Sequence, residues 1–182
     1  MGYGANFIKK YYADHRFSGI EIVFSSESKP LGTGGAVKKA RRFIKSKDFM
    51  VINGDSFSDF SINRFVDFYR QKKARALILL RKMKNKKDYG LVITNASSEI
   101  TSFNEKIRRK HNGFINSGVY LFNRRVFSMM PNKSTFSLEH DFFPEIVGKG
   151  LYGYKGTGFF IDIGTPERYL TAKKYFFKRK GY

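Results

Sequence analysis

Hydrophobic and polar residues follow two different periods along this chain, and segments of the two kinds are mixed along its length. Continuous apolar runs typical of strands occur at 19–24, 49–52, 76–80, 89–93, 100–103, 119–122 and 159–164. Apolar residues spaced three or four apart, typical of amphipathic helices, occur at 6–15, 36–44, 61–73, 124–130, 136–143 and 168–177. Because strands and helices mix throughout, we predict a single α/β domain over residues 1–182 with a mixed sheet.

A glycine-rich segment, Ser28–Ala36, lies between the predicted strand at 19–24 and the predicted helix that follows it. Small residues let a ligand approach the backbone closely, and the unpaired N–H groups at a helix N-terminus attract phosphate. The segment therefore predicts a nucleotide site. A tight turn between strand and helix, capped by Thr33, is the alternative, because the pattern is neither the P-loop nor the G-x-G-x-x-G fingerprint.

Two aspartates, Asp55 and Asp162, stand at or near the ends of apolar strands, each with a glycine nearby. A carboxylate in such a place is unfavourable unless it is paired or binds a cation. If the two converge, they form a hard oxygen site suited to Mg²⁺. The alternative is that Asp55 caps the following turn and Asp162 is a loop residue or an ion-pair partner.

Composition excludes several classes of site. The 182 residues include no cysteine and three scattered histidines, which argues against disulfides, thiolate metal sites and a histidine metal cage. The formal charge of +20 raises the question of nucleic acid. The basic residues are spread along the chain and alternate with core positions on helices, as on solvated faces, so we predict no nucleic-acid partner. We find no signal peptide and no apolar run of membrane-spanning length, and expect a cytoplasmic protein without membrane insertion.

Five short motifs occur in a fixed order: Pro30–Ala36, Asn53–Asp55, Phe103–Lys106, Ile115–Tyr120 and Phe160–Glu167. Each is weak alone, but together they resemble the successive motifs of the sugar-1-phosphate nucleotidylyltransferases. The most similar subgroup is the D-glycero-α-D-manno-heptose 1-phosphate guanylyltransferases and their mannose- or glucose-1-phosphate relatives. The resemblance implies a Rossmann-like nucleotide-diphospho-sugar transferase fold with a mixed, mainly parallel sheet.

The resemblance also implies roles for individual residues. A first group would line the nucleobase pocket: Leu31, Gly32, Thr33, Gly34 and Gly35. A catalytic pair would hold Mg²⁺ between the nucleotide and sugar phosphates: Asp55 and Asp162. A third group would bind the sugar phosphate: Gly54, Glu105, Lys106, Asn116 and Gly118. For two of these motifs an ordinary structural role is the alternative, with Glu105 and Lys106 as an exposed ion pair and Asn116 as a strand cap.

The implied reaction is nucleotidyl transfer from an NTP, with GTP expected, to a heptose or hexose 1-phosphate. The products are an NDP-sugar for surface-glycan synthesis (lipopolysaccharide, capsule or S-layer) and pyrophosphate. Such chemistry needs mainly positioning and charge neutralisation. A non-catalytic relative that binds sugar phosphate or nucleotide is the alternative.

One family motif is missing from the sequence. Members of the family begin with a Gly-Gly-x-Gly-Thr-Arg-Leu loop that wraps the triphosphate, and Gly2–Asn6 is no substitute because no apolar strand precedes it. We therefore expect an N-terminally incomplete fold, with unpaired strand edges and exposed apolar surface. A fragment, a split enzyme with a complementing N-terminal chain, and an inactive relative are all compatible with this, as is a homo-oligomer. We expect little transferase activity from the chain alone.

Overall fold

The computed structural model describes residues 1–15, 19–86, 90–104 and 111–179. The α-helices are α1 (Ala5–Asp14), α2 (Gly32–Ala40), α3 (Ile62–Lys72) and α4 (Pro166–Arg179). The strands are β1 (Asp48–Ile52), β2 (Ser56–Ser58), β3 (Ala76–Lys86), β4 (Leu91–Thr94), β5 (Ile100–Asn104), β6 (His111–Asn123), β7 (Leu151–Gly156) and β8 (Phe160–Asp162). Short 3₁₀ or π turns occupy Arg41–Phe43, Arg124–Ser128, Leu138–Phe142 and Pro144–Ile146.

The long strand β6 is the centre of the main sheet. One of its edges pairs with β3, and the other edge is shared by β1 and β4. β1 pairs with β6 from Val119 to Asn123, and β4 pairs with it at Phe114 and Ile115. Consequently, the stretch Asn116–Gly118 of β6 lies between the two partners. The candidate site is at this stretch.

The predicted mixed sheet is confirmed, but the expectation that it is mainly parallel is wrong for the described strands. Among them, β3 and β7 pair in parallel, whereas β6 pairs antiparallel with β1, β3 and β4. β1 and β3 run in the same direction on opposite edges of β6, and α3 connects them. The order β1, α3, β3 in the sequence is typical of two neighbouring parallel strands joined by a helix. Here β6 lies between β1 and β3, so these two parallel strands are not neighbours in the sheet.

The core forms two layers on the two faces of this sheet. Ile78, Leu80 and Tyr120 face one layer, while Leu77 and Leu79 face the other, as the period of two along a strand requires. The first layer is closed by the segment 126–147, and the second is closed by α3. Complete burial of a Leu or Phe side chain contributes about 1.5–3 kcal/mol, so the two layers supply most of the stability of the sheet.

A second, two-stranded sheet pairs β2 with β8, and α4 follows directly. The hydroxyl of Thr165 accepts from the backbone N–H of Arg168 at 3.3 Å, and Pro166 is the first helical residue. The predicted N-cap and first position of the last helix are confirmed. The predicted strand at 159–164 is shorter than expected and lies outside the main sheet.

The predicted strand at 19–24 is wrong. The segment has no regular secondary structure and pairs with no strand among the described residues, and Ile20, Ile22 and Val23 are exposed. A strand needs a neighbour for its backbone hydrogen bonds, and an apolar run alone does not provide one. The helix α1 is confirmed, but it buries none of its residues. In the described part of the chain, no helix is long and apolar enough to span a bilayer.

Candidate functional site

A cavity of about 350 Å³ lies beside Asn116–Gly118, between the main sheet and the β2–β8 sheet. Its charged lining consists of three carboxylates and one guanidinium: Asp55, Glu139, Asp162 and Arg168. Thr33, Asn53 and Phe160 also line it. The cavity therefore brings together residues from seven separate parts of the chain, and its lining is net negative.

The two predicted catalytic aspartates line this cavity and lie on neighbouring backbone segments. Ser56 and Asp162 are directly opposed in the β2–β8 pair. The carbonyl oxygen of Asp55 accepts from the N–H of Ile163 at 2.8 Å, and the carboxylate Oδ1 of Asp55 accepts from the hydroxyl of Ser56 at 3.2 Å. The small sheet thus places the aspartates side by side, although 106 positions separate Ser56 from Asp162 along the chain.

Asp162 is held by α4. Nη1 of Arg168 donates to Oδ1 of Asp162 at 2.6 Å, and the N–H of Gly164 donates to the same oxygen at 3.2 Å. The side chains of Arg168 and Asp162 are 31% and 15% exposed, so water screens the pair only partly. The ion pair that the sequence offered as an alternative to cation binding is therefore present, and it orients a carboxylate that still lines the cavity.

β6 bulges where it lines the cavity. From the pair Ile78–Tyr120 to the pair Leu80–Asn116, β3 advances two residues while β6 advances four. Gly118 has φ +75°, and a Cβ there would come within 2.8 Å of the Asn53 side chain. A bulge of this kind changes the direction of the side chains in the bulged stretch, here Asn116–Gly118 of β6. Gly118 is glycine because both its backbone angle and the contact with Asn53 require it.

The Asn116 amide is oriented by two hydrogen bonds. Its Oδ1 accepts from the N–H of Gly118 at 3.0 Å, and its Nδ2 donates to the hydroxyl of Tyr120 at 2.8 Å. A carboxamide held in this way presents a fixed donor and acceptor pattern to the cavity. Asn116 and Gly118 thus lie together at the cavity, as the resemblance implied, and their role in binding sugar stays a prediction.

The glycine-rich segment is built differently from the sequence expectation. Gly32–Gly35 form the first turn of α2 rather than a loop before it. The N–H groups of Gly34 and Gly35 donate to the carbonyl of Phe136 at 3.0 and 3.1 Å. These two amides are therefore occupied, and the expectation that they point freely at a ligand is wrong. A Cβ on Gly34 would lie 2.2 Å from the Phe136 ring, so this glycine serves close packing.

The five residues predicted to line a nucleobase pocket are divided between two places. Thr33 lines the Asp55–Asp162 cavity, whereas Leu31 and Gly35 line a separate cavity of about 520 Å³ together with Lys38 and Lys133. We call this second space the α2 cavity. Gly32 and Gly34 pack against Phe136. The nucleobase role of the segment stays a prediction, and Thr33 is its member nearest the two aspartates.

Of the other predicted substrate residues, Gly54 is not among those that line the cavity. Gly54 is exposed and has no other atoms within 4 Å of the place where its Cβ would stand. Glu105 and Lys106 lie outside the described residues. Their proposed contacts with sugar hydroxyls and phosphate stay predictions from the resemblance.

Sequence reasoning missed Glu139 and the cavity-facing role of Arg168. The only local signal for Glu139 is Ser137, whose hydroxyl accepts from the N–H groups of Glu139 and His140 as a helix cap does. Arg168 was recognised as part of the last helix. Its position three residues after the N-cap Thr165, on the first turn, is what directs it back to Asp162.

The carboxylates of the cavity fit a hard cation whose remaining ligands are phosphate oxygens and water. In the described part of the chain, no three carboxylate or histidine side chains gather closely enough to hold a metal ion unaided. Mg²⁺ is commonly bound by one or two carboxylates together with phosphate oxygens and water. Asp55 and Asp162 provide such a pair.

Comparison of the sequence with known proteins identifies similar proteins of one family. The family model described as "Nucleotidyl transferase" matches residues 3–179. A D-glycero-alpha-D-manno-heptose 1-phosphate guanylyltransferase from Aneurinibacillus thermoaerophilus is 37% identical over 174 residues, which span 95% of this chain and 74% of that protein. A mannose-1-phosphate guanylyltransferase catalytic subunit beta from Drosophila melanogaster is 35% identical over 85% of this chain, which spans 42% of that protein.

Solved structures give the same result for the fold. The crystal structure of HddC from Yersinia pseudotuberculosis superposes with a TM-score of 0.84 at 30% identity, over 96% of this chain and 76% of that one. A second crystal structure of the same protein, complexed with GMP-PN, superposes with a TM-score of 0.83. The overall fold of the described chain is therefore shared with these structures.

Proposed function

The chain belongs to the nucleotidyl transferase family, and on that basis we propose that its cavity binds a nucleoside triphosphate and a sugar 1-phosphate for nucleotidyl transfer. The single observation that carries this proposal is the placement of Asp55 and Asp162. Two strands that are distant in sequence place both carboxylates at one cavity, next to Asn116 and Gly118. An ordinary cap or an isolated surface ion pair does not need this convergence.

The proposed reaction transfers a nucleoside monophosphate. A phosphate oxygen of the sugar 1-phosphate attacks the α-phosphorus of the NTP, a new P–O bond forms, and the bond from the α-phosphorus to the bridging oxygen breaks. Pyrophosphate leaves with that oxygen and the electron pair. Side chains need not form a covalent intermediate, so the protein contributes positioning and charge balance.

Individual residues have simple tasks in this proposal. Asp55 and Asp162 would hold Mg²⁺, which neutralises phosphate charge when it is bound. Arg168 keeps Oδ1 of Asp162 in place through the 2.6 Å ion pair. Asn116 presents its oriented amide to the sugar, and Gly118 leaves room for a close approach to the backbone of β6.

We propose GTP as the donor and a heptose or mannose 1-phosphate as the acceptor. The support is the names of the relatives, which are guanylyltransferases acting on these two sugar phosphates, together with the GMP-PN complex of a structural neighbour. An NDP-sugar of this kind suits surface-glycan synthesis. Other bases and sugars are tested in the same assay by exchanging the substrates.

We further propose that the 182-residue chain alone turns over slowly. Its sequence contains no Gly-Gly-x-Gly-Thr-Arg segment to grip the triphosphate, and the N–H groups of Gly34 and Gly35 are already bonded to Phe136. These features leave sugar-phosphate binding intact and weaken the binding of the triphosphate.

The test combines calorimetric titration with a pyrophosphate-release assay. GTP, the other NTPs and mannose 1-phosphate are titrated with and without Mg²⁺, using the wild-type chain and Asp162→Asn. We expect Mg²⁺-dependent binding that Asp162→Asn weakens at least about tenfold while the melting temperature changes little. Asp67→Asn, on the exposed face of α3, is the matched control. If Asp162→Asn lowers the stability and leaves binding unchanged, Asp162 is a structural residue and the proposal fails.

A further inference from the structure

The carboxylate of Glu139 accepts hydroxyl hydrogen bonds from three separate parts of the chain. Its Oε2 accepts from the hydroxyls of Thr33 at 2.7 Å and Ser137 at 2.8 Å. Its Oε1 accepts from the hydroxyl of Tyr120 at 2.8 Å. Hydrogen bonds to a carboxylate are stronger than those between neutral groups. Glu139 therefore ties α2 to β6 across the cavity that it lines.

The connection continues from Tyr120 to the bulge of β6. Nδ2 of Asn116 donates to the hydroxyl of Tyr120 at 2.8 Å, and Oδ1 of Asn116 accepts from the N–H of Gly118 at 3.0 Å. Tyr120 is completely buried, so its hydroxyl has a fixed position between Glu139 and Asn116. An unbroken series of hydrogen bonds thus runs from Thr33, on the glycine-rich helix, to Asn116 and Gly118.

The backbone around Glu139 is fixed as well. The hydroxyl of Ser137 accepts from the N–H groups of Glu139 and His140, and the hydroxyl of Thr33 accepts from the N–H of Leu138 at 2.9 Å. Thr33 and Ser137 each act as both donor and acceptor in this cluster. A change in the position of α2 therefore changes the position of Glu139 in two ways. Thr33 contacts the main chain at Leu138 and the side chain of Glu139.

We propose that Glu139 is a positioning residue that couples nucleotide binding at Thr33 to sugar-phosphate binding at Asn116. This inference rests on the proposed function, because it assigns the two ends of the hydrogen-bond series to the two substrates. A ligand that shifts one end changes the hydrogen bonds of Tyr120 and Glu139, and through them the position of the other end. The second ligand then binds to a site that the first has already positioned, which gives positive cooperativity.

The experiment measures this cooperativity with Tyr120→Phe. Phenylalanine keeps the buried ring but removes the hydroxyl that joins Glu139 to Asn116. The affinity for a non-hydrolysable GTP analogue is measured with Mg²⁺, in the absence and presence of saturating mannose 1-phosphate. We expect at least about fivefold tighter analogue binding with the sugar phosphate in the wild type, and less than about twofold in Tyr120→Phe. The affinity for the analogue alone should change by less than about threefold, because Thr33 keeps its hydrogen bond to Glu139.

Tyr152→Phe, on β7, is the matched control. It removes a hydroxyl from a half-buried tyrosine outside the Glu139 network and should keep the wild-type cooperativity. Thr33→Val breaks the series at its other end and should also abolish the cooperativity. It provides the test independently if Tyr120→Phe fails to fold.

The outcomes separate this inference from the proposed function. If the wild type binds both ligands without cooperativity, or if Tyr120→Phe and Thr33→Val retain it, the coupling role of Glu139 is wrong and the proposed function stands. If the wild type binds neither ligand, the proposed function fails and the coupling fails with it. A lower melting temperature with unchanged cooperativity would make the network a purely structural one.

Discussion

Nη1 of Arg168 lies 2.6 Å from Oδ1 of Asp162, so the first turn of α4 is attached directly to one of the two carboxylates proposed to bind Mg²⁺. We therefore expect Arg168 to contribute little to the stability of the fold and much to the position of the Asp162 carboxylate. A partly exposed ion pair contributes about 1 kcal/mol or less to stability. A group that orients a metal ligand, in contrast, commonly changes metal affinity by about 10–100-fold.

We therefore expect Arg168→Gln to raise the Mg²⁺ concentration needed for GTP binding by about tenfold. The free energy of unfolding should fall by about 1 kcal/mol or less. Titration of binding against Mg²⁺ concentration, alongside urea denaturation, measures both. Arg64→Gln, on the exposed side of α3, removes the same charge away from the cavity. An equal effect of the two variants on Mg²⁺ dependence would show that only net charge matters.

The bulge in β6 predicts a specific sensitivity at Gly118. Gly118→Ala places a Cβ about 2.8 Å from Nδ2 of Asn53 and imposes a side chain on a residue with φ +75°. We expect a loss of about 1–2 kcal/mol in the free energy of unfolding from the backbone angle alone. Gly54→Ala is the control for unfolding, because its Cβ would meet no atoms within 4 Å. Equal urea midpoints for the two variants would contradict this account.

The pair Tyr69–Asp48 predicts a loss of stability in alkali. The hydroxyl of Tyr69 donates to Oδ1 of Asp48 at 2.7 Å. Burial raises the pKa of Tyr69 well above its ordinary value of about 10, and the hydrogen bond and charge of Asp48 raise it further. Because the folded-state pKa is raised, this contribution to stability is fully present below pH 10 and is lost as the pH rises above it.

Tyr69→Phe should accordingly be less stable than the wild type at neutral pH, by about 0.5–1.5 kcal/mol, and should lose less stability between pH 9 and 11. Urea denaturation across this range measures the difference. Tyr3→Phe makes the same chemical change at a fully exposed tyrosine and should follow the wild-type curve. Parallel curves for the wild type and Tyr69→Phe would mean that Tyr69 ionises as it does in the unfolded chain.

Lys38 is predicted to matter for the fold. The sequence predicts that basic residues on helices, Lys38 among them, lie on solvated faces. The Nζ of Lys38 instead donates to the carbonyl of Pro131 at 2.6 Å and thereby holds the segment that leads to Phe136. We expect Lys38→Met to lower the free energy of unfolding by about 1–2 kcal/mol, and Lys39→Met to change it by less than about 0.5 kcal/mol. Lys38 alone of the two makes contacts with the segment 131–136, since its Nζ also donates to the carbonyl of Lys133 at 3.5 Å and lies 6.0 Å from the centre of the Phe136 ring. Equal losses in urea denaturation would rule these contacts out as the cause.

The sequence predicts most of the regular elements because their burial leaves a periodic pattern. The runs around Val51, Ile78 and Tyr120 are strands, and the spacing of Phe65 and Tyr69 marks α3. The strand β7 leaves no such pattern, since its glycines interrupt the apolar run. A Cβ at Gly153 would come within 2.4 Å of the Leu80 side chain, so the glycine is required by a neighbouring strand. A single-sequence pattern does not contain that information.

The candidate site, like the fold, could be predicted where a local sequence pattern marks a residue and could not be predicted where distant contacts define it. Asp55 and Asp162 could be named because they stand at or near the ends of apolar strands and within motifs of a resembling family, and the structure brings them to one cavity. Glu139 could not be named, because its importance lies in hydrogen bonds from Thr33 and Tyr120, which are far from it in the sequence. The occupied amides of Gly34 and Gly35 were missed for a similar reason. Their acceptor is the backbone carbonyl of Phe136, about a hundred residues away.

The bulge of β6 also constrains how this region can change in length. Phe114 lies before the bulge, Tyr120 and Phe122 lie after it, and all three pack into the same core layer. The bulge adds two residues to β6, and an even number preserves the alternation of side chains between the two faces. Deletion of a single residue from Asn116–Gly118 would turn every later side chain of the strand to the opposite face. Natural length variants at this position should therefore differ by two residues. An insertion or deletion of two residues leaves the side chains of Tyr120 and Phe122 on the face that packs into the core.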